Sequence, residues 1–303
     1  VYKAVAVVGC GTIGASWSAL FLAHGIDVQA TDPSAEAEQY LRRYIEKALP
    51  QLAQLGLSGR GRLTFTTDLT TALKGAEFVQ ENAPEKEALK RELLARIDDL
   101  LPADVIVAGS TSSLLRSRLV TDCRHPDRHI TAHPFNPPHL IPLVEIVGAT
   151  EEITARAAEF YHAVGRQPVV LRREMPGHIA NRLASALWRE AVYLVEQGVA
   201  SVADIDAAMT YGPGLRWAVV GPHMAYHLGG GEGGIRHYLD HLGPSQVRRW
   251  ESLGTPRFDD AAKEALVQGI EEEAAGRSIP ELEAQRDALL LRLLKAKQEA
   301  KAS

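Results

Sequence analysis

KAVAVVGCGTIG, residues 3–14, decides the fold. Residues 3–8 are a short run rich in valine and alanine that reads as a strand. Gly9-Cys10-Gly11-Thr12-Ile13-Gly14 follows as a tight turn, and an apolar-periodic segment of helix length runs on to Gly25. A second strand-like run, 26–31, ends at Asp32. Strand, glycine turn, helix, strand and an acidic residue about 20 positions on form the setting in which three such glycines bind a dinucleotide. Gly9 permits the turn, Gly11 lets the backbone approach a pyrophosphate, and Gly14 allows close helix–strand packing, with Thr12 and Ile13 also expected at the cofactor. The free N–H groups at the helix start favour phosphate. The Asp32 carboxylate suits ribose hydroxyls and would repel a 2′-phosphate, so NAD is expected rather than NADP. A glycine-bearing turn that binds no cofactor is the alternative. Cys10 is expected to be a small buried filler.

Working outward, candidate strands at 63–66, 78–80, 105–108, 130–132, 143–147 and 169–171 alternate mostly with helical or polar segments. That alternation predicts an α/β fold: a doubly wound, Rossmann-type NAD domain with a mainly parallel sheet, over residues 1–173. From about Glu174 the strand signal stops, and helical patterns at 179–196, 202–209, 258–275 and 280–302 predict an all-α domain over 174–303. The glycine-dense run 229–234 reads as a loop. In the last helix Leu282, Leu289, Leu290, Leu293 and Leu294 form an apolar stripe, for packing within its own domain or for a subunit interface.

Bulk properties narrow the function. A chain of 303 residues is long enough for two cores. A formal charge of -5 would repel a polyanion, so nucleic acid is not an expected partner. No uninterrupted apolar run has the ~18 residues a membrane span needs. Only Cys10 and Cys123 are present, without paired spacing, and no signal peptide is visible, which suits a reducing cytoplasm. Because Val1 already adjoins the first strand, an initiator Met and a short leader are expected to have preceded it.

Four motifs then occur in order: Ser110-Thr111-Ser112-Ser113-Leu114; His133-Pro134-Phe135-Asn136-Pro137; Leu143-Val144-Glu145; and Pro176-Gly177-His178-Ile179-Ala180-Asn181-Arg182-Leu183. With these the chain resembles the 3-hydroxyacyl-CoA dehydrogenase superfamily, from the first strand to at least Pro222. The resemblance implies that Ser112, His133, Glu145 and Asn181 are the functional quartet, and that Glu85 and Lys90 line the cofactor. For the last two, a solvated first helical turn is the competing reading. Oxidising a secondary alcohol by hydride transfer needs a base for the hydroxyl proton, the role expected of His133. A carboxylate on the other ring nitrogen fixes the tautomer, the role expected of Glu145. Ser112 and Asn181 are expected to hydrogen-bond the reacting oxygen. A non-catalytic NAD-binding protein would not require this set.

Within that superfamily the likeness is nearest to the carnitine-oxidising branch and next to the gulonate-oxidising, lambda-crystallin branch. Trp188-Arg189-Glu190-Ala191, Gly214-Leu215-Arg216-Trp217-Ala218 and Arg277-Ser278-Ile279-Pro280-Glu281-Leu282-Glu283 carry it. The resemblance implies a small 3-hydroxy acid as substrate and a homodimer, with the helical domain over 174–303 serving substrate binding and dimerisation. A quaternary ammonium has no N–H to donate, so aromatic faces suit it, and Trp188, Trp217, Tyr226 and Phe135 are the candidates. Arg216 can pair with a carboxylate; core packing and surface ion pairing are the competing readings for these residues. Two positions depart from the pattern: His178, where the superfamily often has Phe, and Ser113, where the carnitine enzymes often have Gly. The pairs His223/His227 and His237/His241 have i, i+4 spacing but no acidic third ligand, and no metal is expected.

Overall fold

The computed structural model describes residues 2–302, with side chains for 2–300. Among them eight strands form one sheet: β1 (Ala4–Val8), β2 (Asp27–Thr31), β3 (Leu63–Thr66), β4 (Phe78–Glu81), β5 (Ile106–Gly109), β6 (His129–Pro134), β7 (Leu143–Val147) and β8 (Gln167–Val170). Their order is β3-β2-β1-β4-β5-β6-β7-β8. All neighbours are parallel except β6 and β7. The six strands read from sequence after Asp32 are present, each displaced by no more than a few residues.

Six helices accompany the sheet: α1 (Thr12–Ala23), α2 (Ala37–Gln54), α3 (Leu69–Leu73), α4 (Glu87–Leu100), α5 (Arg116–Leu119) and α6 (Glu151–Ala163). Alternate side chains of β1 point to opposite faces of the sheet. Val5 and Val7 join a core with Trp17 and Phe21 of α1, Leu41 of α2 and Phe160 of α6. Ala6 and Val8 join a second core with Leu73 of α3, Ile97 of α4 and Leu119 of α5. The central strands are therefore buried on both sides, which is why they lack the alternating pattern of a half-exposed sheet.

The chain continues through α7 (Ala180–Glu196), α8 (Val202–Tyr211), α9 (Pro213–Trp217), α10 (Pro222–Gly229), α11 (Gly234–Ser252), α12 (Asp260–Ala274) and α13 (Ile279–Ala302). It forms two compact units. One runs to Asn181 and resumes from Gln285; the other is Arg182–Ala284. Most of α13 thus belongs with the sheet, whereas the sequence reading grouped it with the preceding helices. Its Asp287 accepts a hydrogen bond from Gln51 Nε2 of α2 at 3.1 Å. The buried face of α13 carries Asp287 and Leu291, while Leu289 and Leu293 of the expected stripe are exposed. Leu282, Leu290 and Leu294 of the stripe are half-buried, so only part of it faces solvent.

In the second unit Ser201 caps α8 by accepting from the Asp204 N–H, and Asp259 caps α12 through the Ala262 N–H. The glycine run expected to be a loop closes α10 at Gly229, makes one 3₁₀ turn and starts α11 at Gly234. Glycine density and Pro244 inside α11 hid that helix from periodicity. No helix among the described residues is long and apolar enough to cross a membrane.

Candidate active site

The order of strands reverses between β1 and β4, and the carboxyl ends of parallel strands at such a point form a ligand crevice. Gly9 leaves β1 with φ of 89°, a conformation open to glycine, and a Cβ there would lie 2.8 Å from the Asn82 carbonyl. A Cβ on Gly14 would lie 1.9 Å from Gly9 O, so α1 and the turn touch backbone to backbone. At Gly11 a Cβ would meet no protein atom, which leaves the approach to the start of α1 clear. No side chain caps that helix, and its first turn holds no acidic residue. Asp32 ends the second strand as expected. Its Oδ2 accepts from the Cys10 N–H at 3.0 Å and its Oδ1 from the Ser34 N–H at 3.0 Å, tying the glycine turn to β2. These residues fit a dinucleotide: open backbone for phosphate, and a carboxylate with remaining lone pairs for ribose. Burial pushes the Cys10 thiol up to about 12, consistent with an inert filler.

His133 and Glu145 are directly opposite each other in the antiparallel β6–β7 pair. Opposed residues share one face of a sheet with their Cβ atoms about 5 Å apart. His133 Nδ1 therefore reaches Glu145 Oε2 at 2.9 Å, with both side chains buried. Because a carboxylate only accepts, Nδ1 carries the proton, and in the neutral ring Nε2 is the nitrogen with the lone pair. The other oxygen of Glu145 accepts from the N–H groups of Ile179 and Ala180, at 2.8 and 2.9 Å, where α7 begins. Burial raises the Glu145 carboxyl, but His133 and those two amides outweigh it and hold the group below its ordinary range. Asn181 Nδ2 lies 3.5 Å from His133 Nε2, so the amide donor is that nitrogen's partner at the space they both face.

That space is a cavity of about 450 Å³, lined by His133, Ser112, Asn181, Phe135, Ile13 and Glu85 of the expected set. Its size suits a small-molecule site. Glu85 Oε1 accepts from Thr111 Oγ1 at 2.7 Å, from the Ser112 and Ser113 amides at 2.9 Å each, and from the Ser113 hydroxyl at 3.0 Å. It thereby fixes the loop after β5 that carries Ser112. Burial raises the Glu85 carboxyl, yet the Thr111 and Ser113 donors and the Lys90 charge bring it below its ordinary range. Lys90 is not in the lining: it is buried, with Nζ 2.8 and 3.0 Å from the two oxygens of Glu81. Glu81 in turn accepts from the Ala83 N–H at 2.6 Å, so Lys90 is tied to the lining through that carboxylate and acts on Glu85 by its charge.

Asn82, Ser110 and Asn136 also line the cavity, and sequence reasoning did not single them out. Asn82 and Ser110 follow β4 and β5, and their position at strand carboxyl ends was the available signal. Ser110 Oγ donates to Asn82 Oδ1 at 2.7 Å. The remaining substrate candidates belong to the second unit, where Trp188, Trp217, Tyr226 and Arg216 are exposed. The Trp188 ring meets Phe258 edge-on at 5.7 Å, and Tyr226 lies 5.0 Å from Tyr238. His237 and His241 stack on each other at 4.0 Å. Outside the cavity lining, Asp98, Cys123 and His129 bring side-chain ligand atoms within 4.8 Å of one another. Asp98 already accepts from Arg128 Nε, His129 Nε2 and the amides of Arg124 and His125, the pattern of a structural tie.

Residues 4–175 match the model of the 3-hydroxyacyl-CoA dehydrogenase NAD binding domain, and residues 177–262 that of the 3-hydroxyacyl-CoA dehydrogenase C-terminal domain. The chain is similar to an L-carnitine dehydrogenase of Streptomyces griseus, with 50% identity over 300 residues that cover 97% of this chain and 90% of that protein. It is likewise similar to an L-carnitine dehydrogenase of Bacillus cereus, with 45% identity over 298 residues, 96% of this chain and 91% of that protein. Among solved structures, an NAD+ dependent 5-formyl-3-hydroxy-2-methylpyridine 4-carboxylic acid 5-dehydrogenase superposes with a TM-score of 0.77. It is 30% identical, with 97% of this chain and 99% of that one covered.

Proposed function

The chain belongs to the 3-hydroxyacyl-CoA dehydrogenase family and is an NAD-dependent oxidoreductase, and from that premise we propose that it oxidises the 3-hydroxyl of L-carnitine to 3-dehydrocarnitine. The observation that carries the chemistry is the buried His133–Glu145 pair at the cavity lining, with Nε2 turned to the Asn181 amide. Near-full-length likeness to L-carnitine dehydrogenases supports the substrate.

His133 Nε2 takes the hydroxyl proton, and Glu145 holds the ring in the productive tautomer and stabilises the imidazolium. Ser112 and Asn181 donate to the reacting oxygen as it becomes a carbonyl. Bound NAD would supply the hydride acceptor for the carbon that bears this hydroxyl. Gly9, Gly11, Thr12, Ile13, Gly14 and Asp32 hold the dinucleotide, with Glu85 and Lys90 supporting that end of the site. Phe135, Trp188, Trp217 and Tyr226 are the aromatic faces proposed for the trimethylammonium, and Arg216 the cation proposed for the carboxylate. We further propose a homodimer formed through the helical domain, in a reducing cytoplasm.

The test is NADH formation, followed side by side with L-carnitine, D-carnitine, L-gulonate, 3-hydroxybutyrate and its CoA ester. Oxidation of L-carnitine well above the others is expected. Turnover of L-gulonate or of the CoA ester alone would overturn the substrate.

A further inference from the structure

Gly177 and His178, consecutive in the segment that leads into α7, both have positive φ, 75° and 49°. Glycine adopts this backbone freely, whereas for a residue with a Cβ it is strained. His178 carries a second burden. It is 4% exposed, and its Nδ1 is buried without a hydrogen-bond partner. A histidine held in a left-handed backbone with an orphaned nitrogen calls for a reason in the surrounding contacts.

Those contacts converge on the site. The His178 ring packs against that of His133, centroids 4.9 Å apart and planes tilted by 33°. Its Nε2 donates to the Thr111 carbonyl at 3.2 Å, within the loop that carries Ser112. The next two residues give their N–H groups to Glu145, the carboxylate that holds His133. One side chain thus touches the base, adjoins the grip on its carboxylate and holds the serine loop.

We propose that His178 is a positioning residue for hydride transfer, fixing the plane of the His133 ring relative to the loop that bears Ser112; this rests on the role given to His133 above. Reacting groups must be held closely, since a misplacement of about 1 Å can cost on the order of 10²-fold in rate. Burial lowers the His178 imidazole below its ordinary range, so it stays neutral and sets no second positive charge beside His133 when that ring takes up a proton. A phenyl ring could fill the same space, but it could not hold the Thr111 carbonyl.

The test separates the two links. His178→Phe keeps a ring against His133 and loses the donor; His178→Gln keeps a donor near the Nε2 position and loses the ring. His178→Phe also exchanges one orphaned buried atom, Nδ1, for another, the Thr111 oxygen, so little change in Tm is expected. For each variant, Tm, NADH affinity, kcat, KM and the primary isotope effect with 3-deuterated substrate are measured. The assay uses whichever acid of the panel the wild-type protein oxidises, so a wrong substrate and a wrong role for His178 give different results. The expected outcome is NADH affinity within about twofold of wild type, kcat lower by about tenfold or more, and a larger isotope effect as hydride transfer becomes limiting. Unchanged kcat and isotope effect in both variants would overturn the proposal. So would losses of kcat that merely track losses of Tm or of NADH binding.

Discussion

Glu145 uses both carboxylate oxygens, one on the His133 imidazole and one on two backbone amides. It therefore serves as a tautomer lock and as a fastening for the segment that ends in Asn181. His133→Ala removes the base but leaves the nucleotide residues intact, so turnover should fall by about 10²- to 10⁴-fold while NADH affinity persists. Parallel kinetics and fluorescence titration check this, and unchanged turnover would take His133 out of the mechanism. Residue types at this scale were legible because a base, a brace and two oxygen donors stood in ordered motifs. Partners were less so. Lys90 was read as lining the cofactor, yet its ammonium is enclosed by Glu81, and no spacing rule identifies the partner of a buried lysine. Asn82 and Asn136 escaped notice because an asparagine beside a strand end looks like any turn former.

The strand–turn–helix element makes a sharper comparison between two of its glycines. At Gly14 a methyl group would collide with Gly9 O, whereas at Gly11 it would enter only the space before α1. Gly14→Ala should lower both Tm and NADH affinity, with an overpacking cost of about 1–3 kcal/mol. Gly11→Ala should leave Tm alone and weaken NADH binding. Thermal melts with nucleotide titration decide between them, and equal loss of Tm in both variants would refute the contrast. Elements with strong local patterns were readable from sequence, including all eight strands. The antiparallel direction of β7 was not, because it depends on how the 135–142 connection runs and leaves no mark in hydrophobic periodicity. α11 was missed for the opposite reason: the five glycines of 229–234 and an internal proline argued locally against a helix there.

For the whole molecule, the histidines that stay neutral in the fold set its response to acid. Burial lowers His129 and His139 from about 6.5 to about 4. His139 has both ring nitrogens engaged, Nδ1 with Ser16 of α1 at 2.7 Å and Nε2 with Gln51 of α2 at 2.8 Å. Between those pH values the unfolded chain binds protons that the native state refuses, so their contribution is complete above pH 6.5 and is lost as pH falls toward 4. Asp98, lowered to about 2, is still charged over that interval and gives way only below it. Tm should therefore be level between about pH 7 and 8, below the range in which the buried thiols of Cys10 and Cys123 resist ionisation, and decline between pH 6.5 and 4, and His139→Gln should reduce the slope. A Tm indifferent to pH across that interval would contradict this. The division into units was only partly visible in the sequence. The change from strands to helices could be seen, but the return of most of α13 to the first unit is a long-range association, including the Gln51–Asp287 hydrogen bond, that leaves no local mark.

The sole antiparallel joint in the sheet also limits how the protein can change. A slip of one residue along β6–β7 would leave backbone bonds available but swing the glutamate to the far side, out of reach of the imidazole. The stretch joining the two strands cannot trade length for register without breaking the proton-handling couple, while turns elsewhere around the sheet are free of that constraint. Drift in loop length should thus accumulate away from residues 135–142.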